Sequence, residues 1–361
     1  MASRRILLVM QLATRRSIIQ GLASGALLLP GLRRMARGAT PPRETPALVM
    51  VYLNGGPAGF FNNAASFLAK GSFGVTHDNV RSLGDHFLVD KATLGSLPDA
   101  ALAHIASINY QHGFYNHELA RAALLQTGDR SNLLLLAQAM PDPAPIRCAL
   151  VNSLGFPAGV EPHPPAENNI TIERVLDLRA IGHFDQPSAP TIARVADAYG
   201  VAHDASAVGD PRTSFLAAEL LLRAGSNVVF LQPMFAGRPD RQLDTHHDTS
   251  GVEARELMAT IMAPLRTFTS RALALAGRNV VIVLTGEFSR TIATSDHETG
   301  GTATVIGKYV KTGIAAPLTG EGAPPPGTAP VAGMWSYLAN VMRLADHPFG
   351  ANPNPELVIA P

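Results

Sequence analysis

Ala47-Leu48-Val49-Met50-Val51-Tyr52-Leu53 is an unbroken apolar run that stops at Asn54-Gly55-Gly56-Pro57. Nothing polar interrupts it, so both faces of the strand it forms must be covered, as in a parallel sheet between helices. The glycines and proline that follow mark a turn. Asn227-Val228-Val229-Phe230-Leu231 and Asn279-Val280-Val281-Ile282-Val283-Leu284 read the same way. Between these runs, Leu and Ala recur at helical spacing over 116–126 and 211–224. The stretch 251–276 sets Leu257, Ile261, Leu265, Phe268, Ala272 and Leu275 near one face, with Glu253 and Glu256 at its positive end and a kink expected at Pro264. Asp248, Thr249 and Ser250 compete to cap it. Strands alternating with helices predict an α/β fold, a mostly parallel sheet flanked by helices. The Pro-rich passages 156–165 and 323–330 read as surface excursions, and no repeat divides the chain, so 45–361 reads as one domain.

Composition narrows the function classes. Of 361 residues, 46% are hydrophobic and 16% charged, which supplies a sizeable core and excludes a disordered chain. No apolar run reaches the roughly 18–20 residues that cross a bilayer, which excludes a multi-span membrane protein and any stable span. Cys148 is the one cysteine, so no internal disulfide forms. The formal charge of +1 is uneven: the eight arginines before Glu44 leave 21 basic against 28 acidic side chains beyond it, a balance of −7. That sign excludes a nucleic-acid partner.

Residues 1–40 read as an address. Thr14-Arg15-Arg16-Ser17-Ile18-Ile19-Gln20 is a twin-arginine pattern, and the apolar stretch 18–29 follows it. As a helix that stretch reaches about 18 Å at 1.5 Å per residue, too short for a span and right for a signal core. Arg33, Arg34 and Arg37 behind it disfavour the general secretory channel. The expectation is a periplasmic or secreted protein, handed folded to the twin-arginine export machinery.

In such sheets ligands bind beyond the carboxyl ends of the strands. After the 227–231 strand comes Asp244-Thr245-His246-His247-Asp248; after the 279–284 strand come Thr285-Gly286-Glu287-Phe288-Ser289-Arg290-Thr291 and then Ser295-Asp296-His297-Glu298. Carboxylates gathered there repel one another unless a cation neutralises them, and a mixed Asp/Glu/His set suits zinc, manganese or iron better than calcium. Taken singly, each residue has a plainer reading: Glu287 pairing with Arg290, Asp248 capping a helix, the histidines solvated. Upstream, His112 and His117 lie on a polar loop entering an Ala/Leu helix, where they either face the metal edge or hold the loop by hydrogen bonds.

These blocks resemble a bacterial family of unknown function, the domain-of-unknown-function family numbered fifteen hundred and one, itself similar in fold to the alkaline phosphatase and sulfatase superfamily. The resemblance rests on the twin-arginine leader, Leu53 to Pro57, and Asn116-His117 leading to Thr127-Gly128. It continues through Asp244-Thr245-His246 with Asp248, Gly286 to Thr291 with Asp296-His297 and Gly300-Gly301, and the ending Trp335 to Gly350. It implies that Asp244, His246, Glu287, Asp296 and His297 occupy metal-ligand positions, with zinc or manganese as the ion. Two departures stand out: Gly56-Pro57-Ala58 brings no acidic ligand, and no hydroxyl or thiol stands near His117 and Glu118 where that superfamily places its nucleophile. Hydrolysis would then use a metal-activated water, with His117 or His112 moving protons and Arg290 binding the anion. The expected function is an exported metal-dependent hydrolase of a phosphate, sulfate or related ester, acting on a small anionic ester or a decorated polysaccharide. The alternative is a non-catalytic exported binding or assembly protein on a degenerate scaffold.

Overall fold

The computed structural model describes residues 44–140, 144, 146–151, 169–172, 189–202, 210–233, 235 and 243–360, with the backbone alone given for 169–172. The leader 1–40 and the Pro-rich passage 156–165 lie outside the described residues. Eight strands form the main sheet: β1 (Thr45–Tyr52), β2 (Ile105–Gln111), β3 (Cys148–Val151), β4 (Asn169–Ile172), β5 (Val228–Leu231), β6 (Arg278–Thr285), β7 (Gly300–Gly307) and β8 (Gly313–Ile314). Their spatial order is β8-β2-β7-β6-β1-β5-β3-β4. Strand β7 pairs antiparallel with both β6 and β2; the other pairings are parallel. The result is an α/β fold with a mostly parallel, mixed sheet. The three runs legible in the sequence, β6, β1 and β5, lie side by side at its centre.

That centre is apolar on both sides because both are covered. Along β1, Ala47, Val49, Val51 and Leu53 join one core cluster, and Leu48, Met50 and Tyr52 join the other. Onto the first face pack α3 (Ala189–Tyr199), α4 (Pro211–Arg223) and α5 (Val252–Leu273). Onto the second pack α1 (His117–Leu125), α2 (Asn132–Gln138) and α6 (Val331–Val341), the last bringing the fully buried Trp335.

Local chemistry sets the helix ends. Asn116 caps α1 by accepting from the amides of Glu118 and Leu119, and Asp210 caps α4 ahead of Pro211. Helix α5 differs from expectation at its start. Gly251, in the left-handed conformation, holds the cap position, while Asp248 reaches past it to accept from the amide of Ala254 and the hydroxyl of Ser250. Pro264 lies inside α5, which continues to Leu273.

One buried carboxylate ties three helices together. Glu219 of α4 is fully buried and accepts from Arg223, from Arg271 of α5 at 2.6 and 2.8 Å, and from the hydroxyl of Tyr199 of α3 at 2.9 Å. Burial alone would raise its pKa; these donors outweigh it and hold the carboxyl below the usual glutamate value. Removing it leaves two guanidiniums without their partner. Glu219→Ala should therefore destabilise the fold by about 2–3 kcal/mol, less than for a wholly buried pair because both arginines touch solvent. Chemical denaturation should show this as a lower midpoint, and an unchanged midpoint would contradict the role given to Glu219.

Candidate metal centre

Four segments meet at the carboxyl edge of the sheet: the turn 54–57 after β1, the segment 112–117 after β2, the segment 243–248 beyond β5, and the 286–299 connection from β6 to β7. The Gly55-Gly56 turn is where they close. A Cβ at Gly55 would stand 2.6 Å from the Asp244 amide nitrogen, and one at Gly56 would stand 2.8 Å from the Phe288 Cβ. Both residues have positive φ, at 97° and 80°, so glycine serves backbone conformation and close approach together. The Leu243 amide donates to the Asn54 carbonyl at 2.6 Å, docking the Asp244 segment on the turn.

Arg290 locks the arrangement from beneath. It is fully buried, and its guanidinium donates to the carbonyls of Gly55, Gly56 and Ser295 and to Asp244 Oδ1. Ser295, itself at positive φ, donates from its hydroxyl to the Thr245 carbonyl. The anion expected on Arg290 thus finds its guanidinium turned inward, onto the backbone and onto Asp244.

Above this floor, His117, Asp244, His246 and His297 bring ligand atoms within 4.8 Å of one another. The Nε2 atoms of His246, His117 and His297 lie 3.2, 3.4 and 3.6 Å from the Asp244 carboxylate oxygens. A tetrahedral ion with bonds near 2.0–2.1 Å would hold its ligands about 3.3 Å apart, so these spacings suit one. The outer nitrogens point the same way. His117 Nδ1 faces Glu287 Oε1 at 2.8 Å, His297 Nδ1 the Tyr115 carbonyl at 2.7 Å, and His246 Nδ1 Asp296 Oδ1 at 3.3 Å. Each of these partners can only accept, so Nδ1 is the donor in each ring and Nε2 is the nitrogen turned toward Asp244. His297 Nε2 is buried without a hydrogen-bond partner. Three imidazole nitrogens aimed at one carboxylate are satisfied by a cation between them or by a proton on a ring. The donor set fits a divalent metal.

The remaining residues singled out in the sequence stand around this cluster. Glu287 is fully buried and turned back under the sheet edge, where it accepts from Tyr52, the Gly55 amide and His117. Its pKa is pushed up by burial and pulled down further by the His117 and Tyr52 hydrogen bonds, so the carboxylate stays ionised. Asp296 is exposed and braces His246. His112 uses both ring nitrogens on the backbone, accepting from the Phe114 amide and donating to the Glu287 carbonyl, and burial lowers its pKa. Asp244 would be raised by burial, but His117 and Arg290 hold it well below the usual carboxylate range.

Three contributors escaped the sequence reading. Phe288 is buried and stacks on His297 at 4.1 Å while meeting His117 edge-on at 5.0 Å, fixing both rings. Tyr52, the last residue of β1, anchors Glu287 at 2.6 Å. Arg121, one turn along α1 from His117, donates to Tyr52 and Asn54 and lies 3.9 Å from Glu287. The one signal for them was adjacency to residues already chosen.

No protein-family model and no curated protein matches the chain, so the family named above stands as a resemblance of motifs. Solved structures with a similar fold include the integral membrane lipooligosaccharide phosphoethanolamine transferase A from Neisseria meningitidis, at 10% identity and a TM-score of 0.42. It is matched over 94% of this chain and 63% of its own, so this chain spans less than two thirds of that transferase. A protein in the alkaline phosphatase superfamily from Vibrio parahaemolyticus matches at 10% identity and a TM-score of 0.43, over 86% of this chain and 69% of its own. Ps i-CgsB, solved in complex with a neocarrahexaose, matches at 9% identity and a TM-score of 0.38, over 87% and 74%.

Two outcomes follow from the geometry. Gly55→Ala should drive Asp244 off its ion-facing position, lowering zinc affinity at least tenfold in a calorimetric titration and costing about 1–3 kcal/mol in strain. In chelator, His117 bridges two carboxylates, which raise its pKa from 6.5 to about 9. Its stabilising contribution is complete below pH 6.5 and is lost as pH rises through 9. The stability gap between wild type and His117→Gln should therefore shrink from pH 6.5 to 9.5 in thermal melts; a gap that widens would reverse the assignment.

Proposed function

We propose that this chain is a metal-dependent hydrolase of a phosphate, sulfate or related ester, exported by the twin-arginine route that Arg15 and Arg16 suggest. The observation that carries the reading is the convergence of three imidazole Nε2 atoms and the Asp244 carboxylate at the rim of an α/β sheet, each ring braced from behind. A divalent ion bound there supplies Lewis-acid polarisation of an ester oxygen and offsets the charge that develops on it.

The chain's own groups define the rest. His117, Asp244, His246 and His297 hold the ion, Glu287 keeps the His117 lone pair forward, and Arg290 fixes Asp244. Cluster side chains are 12–36% exposed, so an ester can reach them from solvent. Arg121, with 30% of its side chain exposed and its guanidinium held by Tyr52 and Asn54, stands beside the site as a group suited to orient an anion. The buried hydroxyls of Ser289 and Ser295 donate to the carbonyls of Gly322 and Thr245, so neither is turned toward the cluster. The attacking group is water.

A second reading has its own observation. Arg290 already pairs with Asp244, and a protonated His117 would bridge Asp244 to Glu287, closing the network without an ion. A chain that rests in that state is a non-catalytic exported binding or assembly protein. Among the described residues no helix is long and apolar enough to cross a membrane.

Elemental analysis of protein exported by its native route should find about one equivalent of zinc or manganese, lost in Asp244→Ala. With either ion added, an ester screen should find sustained turnover that His246→Ala removes. Metal-free protein whose melting temperature ignores chelators, with no turnover on any ester, would favour the binding reading.

A further inference from the structure

A tetrahedral ion held by His117, Asp244, His246 and His297 would have every position filled by protein, whereas catalytic sites keep one position open. One ligand must therefore yield to an ester oxygen, and the four are not held alike. Asp244 is fixed by the buried Arg290. His117 is braced at 2.8 Å by Glu287, which is fully buried and itself anchored by Tyr52 and the Gly55 amide. His297 has 12% of its side chain exposed, stacks on Phe288 at 4.1 Å and meets the Tyr115 carbonyl at 2.7 Å.

His246 has the loosest hold. Its side chain is 36% exposed, the most of the four, and its brace Asp296 is 55% exposed and 3.3 Å away. Its ring lies beside other imidazoles, His297 at 4.6 Å and His247 at 6.2 Å, where His297 has the buried Phe288. The backbone changes character at the same point. Thr245, just before, is buried and its carbonyl accepts from Ser295. His247, just after, is exposed and stands at a φ of 68°, in the left-handed region that residues with a Cβ seldom adopt. Movement of His246 away from the cluster would let that strain relax without disturbing Thr245.

We infer that His246 is the displaceable ligand of the centre: its Nε2 gives way to the anionic oxygen of an arriving ester, while His117, Asp244 and His297 keep the ion. This rests on the hydrolase reading and adds how its site opens. His112 spends both ring nitrogens on the backbone and His117 stays a ligand, so the released Nε2 of His246 is the acceptor for a proton. The attacking water's oxygen bonds to phosphorus or sulfur and its proton passes to that Nε2. The leaving oxygen departs with the electron pair of the broken bond and takes a proton from solvent. Turnover is then lost with His246 while the ion stays, whereas Asp244→Ala loses both.

Calorimetric zinc titration of the full chain should place His246→Ala within about tenfold of wild type, against losses of about a hundredfold or more for His117→Ala and His297→Ala. With cobalt in place of zinc, its visible absorption reports binding of inorganic phosphate. Phosphate should bind His246→Ala at least about threefold more tightly than wild type, because no imidazole has to be displaced first. Two brace variants repeat the comparison with every ligand intact: Asp296→Asn should cost less than about threefold in zinc affinity, and Glu287→Gln about tenfold or more. Equal zinc losses across the three histidine variants, or weaker phosphate binding by His246→Ala, would overturn the inference and leave the metal-dependent reading standing. Wild type that takes up no zinc would remove both.

Discussion

The buried guanidinium of Arg290 is the joint on which the candidate centre depends. A charge withdrawn from water is tolerated only when its donors are satisfied, and here the partners are two carbonyls of the Gly55-Gly56 turn, the Ser295 carbonyl and the Asp244 carboxylate. Three chain segments distant in sequence are thereby held to one planar group. Glycine at 55 and 56 lets the segments come that close, and the left-handed backbone at Ser295 turns its carbonyl toward the guanidinium. The geometry of the histidines above follows from this floor.

A division of labour among the carboxylates comes from the same arrangement. Asp244, held from below by Arg290, faces the imidazoles. Glu287, held by Tyr52 and the Gly55 amide, faces the back of one imidazole. Asp296, at the surface, does the same for another. Two acidic groups thus set ring orientation and one stands among the converging nitrogens. This spaces the negative charge around the imidazoles rather than piling it at a point.

The central strands were plain in the sequence because a strand covered on both faces must be apolar without interruption, as β1, β5 and β6 are. Strand β7 was hidden for the opposite reason: Gly300-Gly301-Thr302-Ala303-Thr304 alternates small and hydroxylated residues and has no apolar signature until Val305. At the site, Asp244, His246 and His297 could be chosen because they follow or precede buried strands. Which way a carboxylate turns is another matter. Whether Glu287 faces out of the sheet or back beneath it depends on Tyr52 and a backbone amide more than 200 positions away, and spacing carries no trace of either. The stacking of Phe288 on His297 was illegible for the same reason, since an aromatic residue beyond a strand reads as core.

The reversal of β7 bears on how the centre comes into being. Because that strand returns beside β6, the residues between them form a closed excursion with both ends anchored, so His297 arrives together with Arg290 as one local unit. His117 comes from much farther off, 170 positions before its brace Glu287. A nascent or partly unravelled chain therefore holds fragments of the constellation and never the whole. Retention of an ion there would report that the strands bearing these four residues have come together, so a cation bound at the cluster would act as a seal on completed folding.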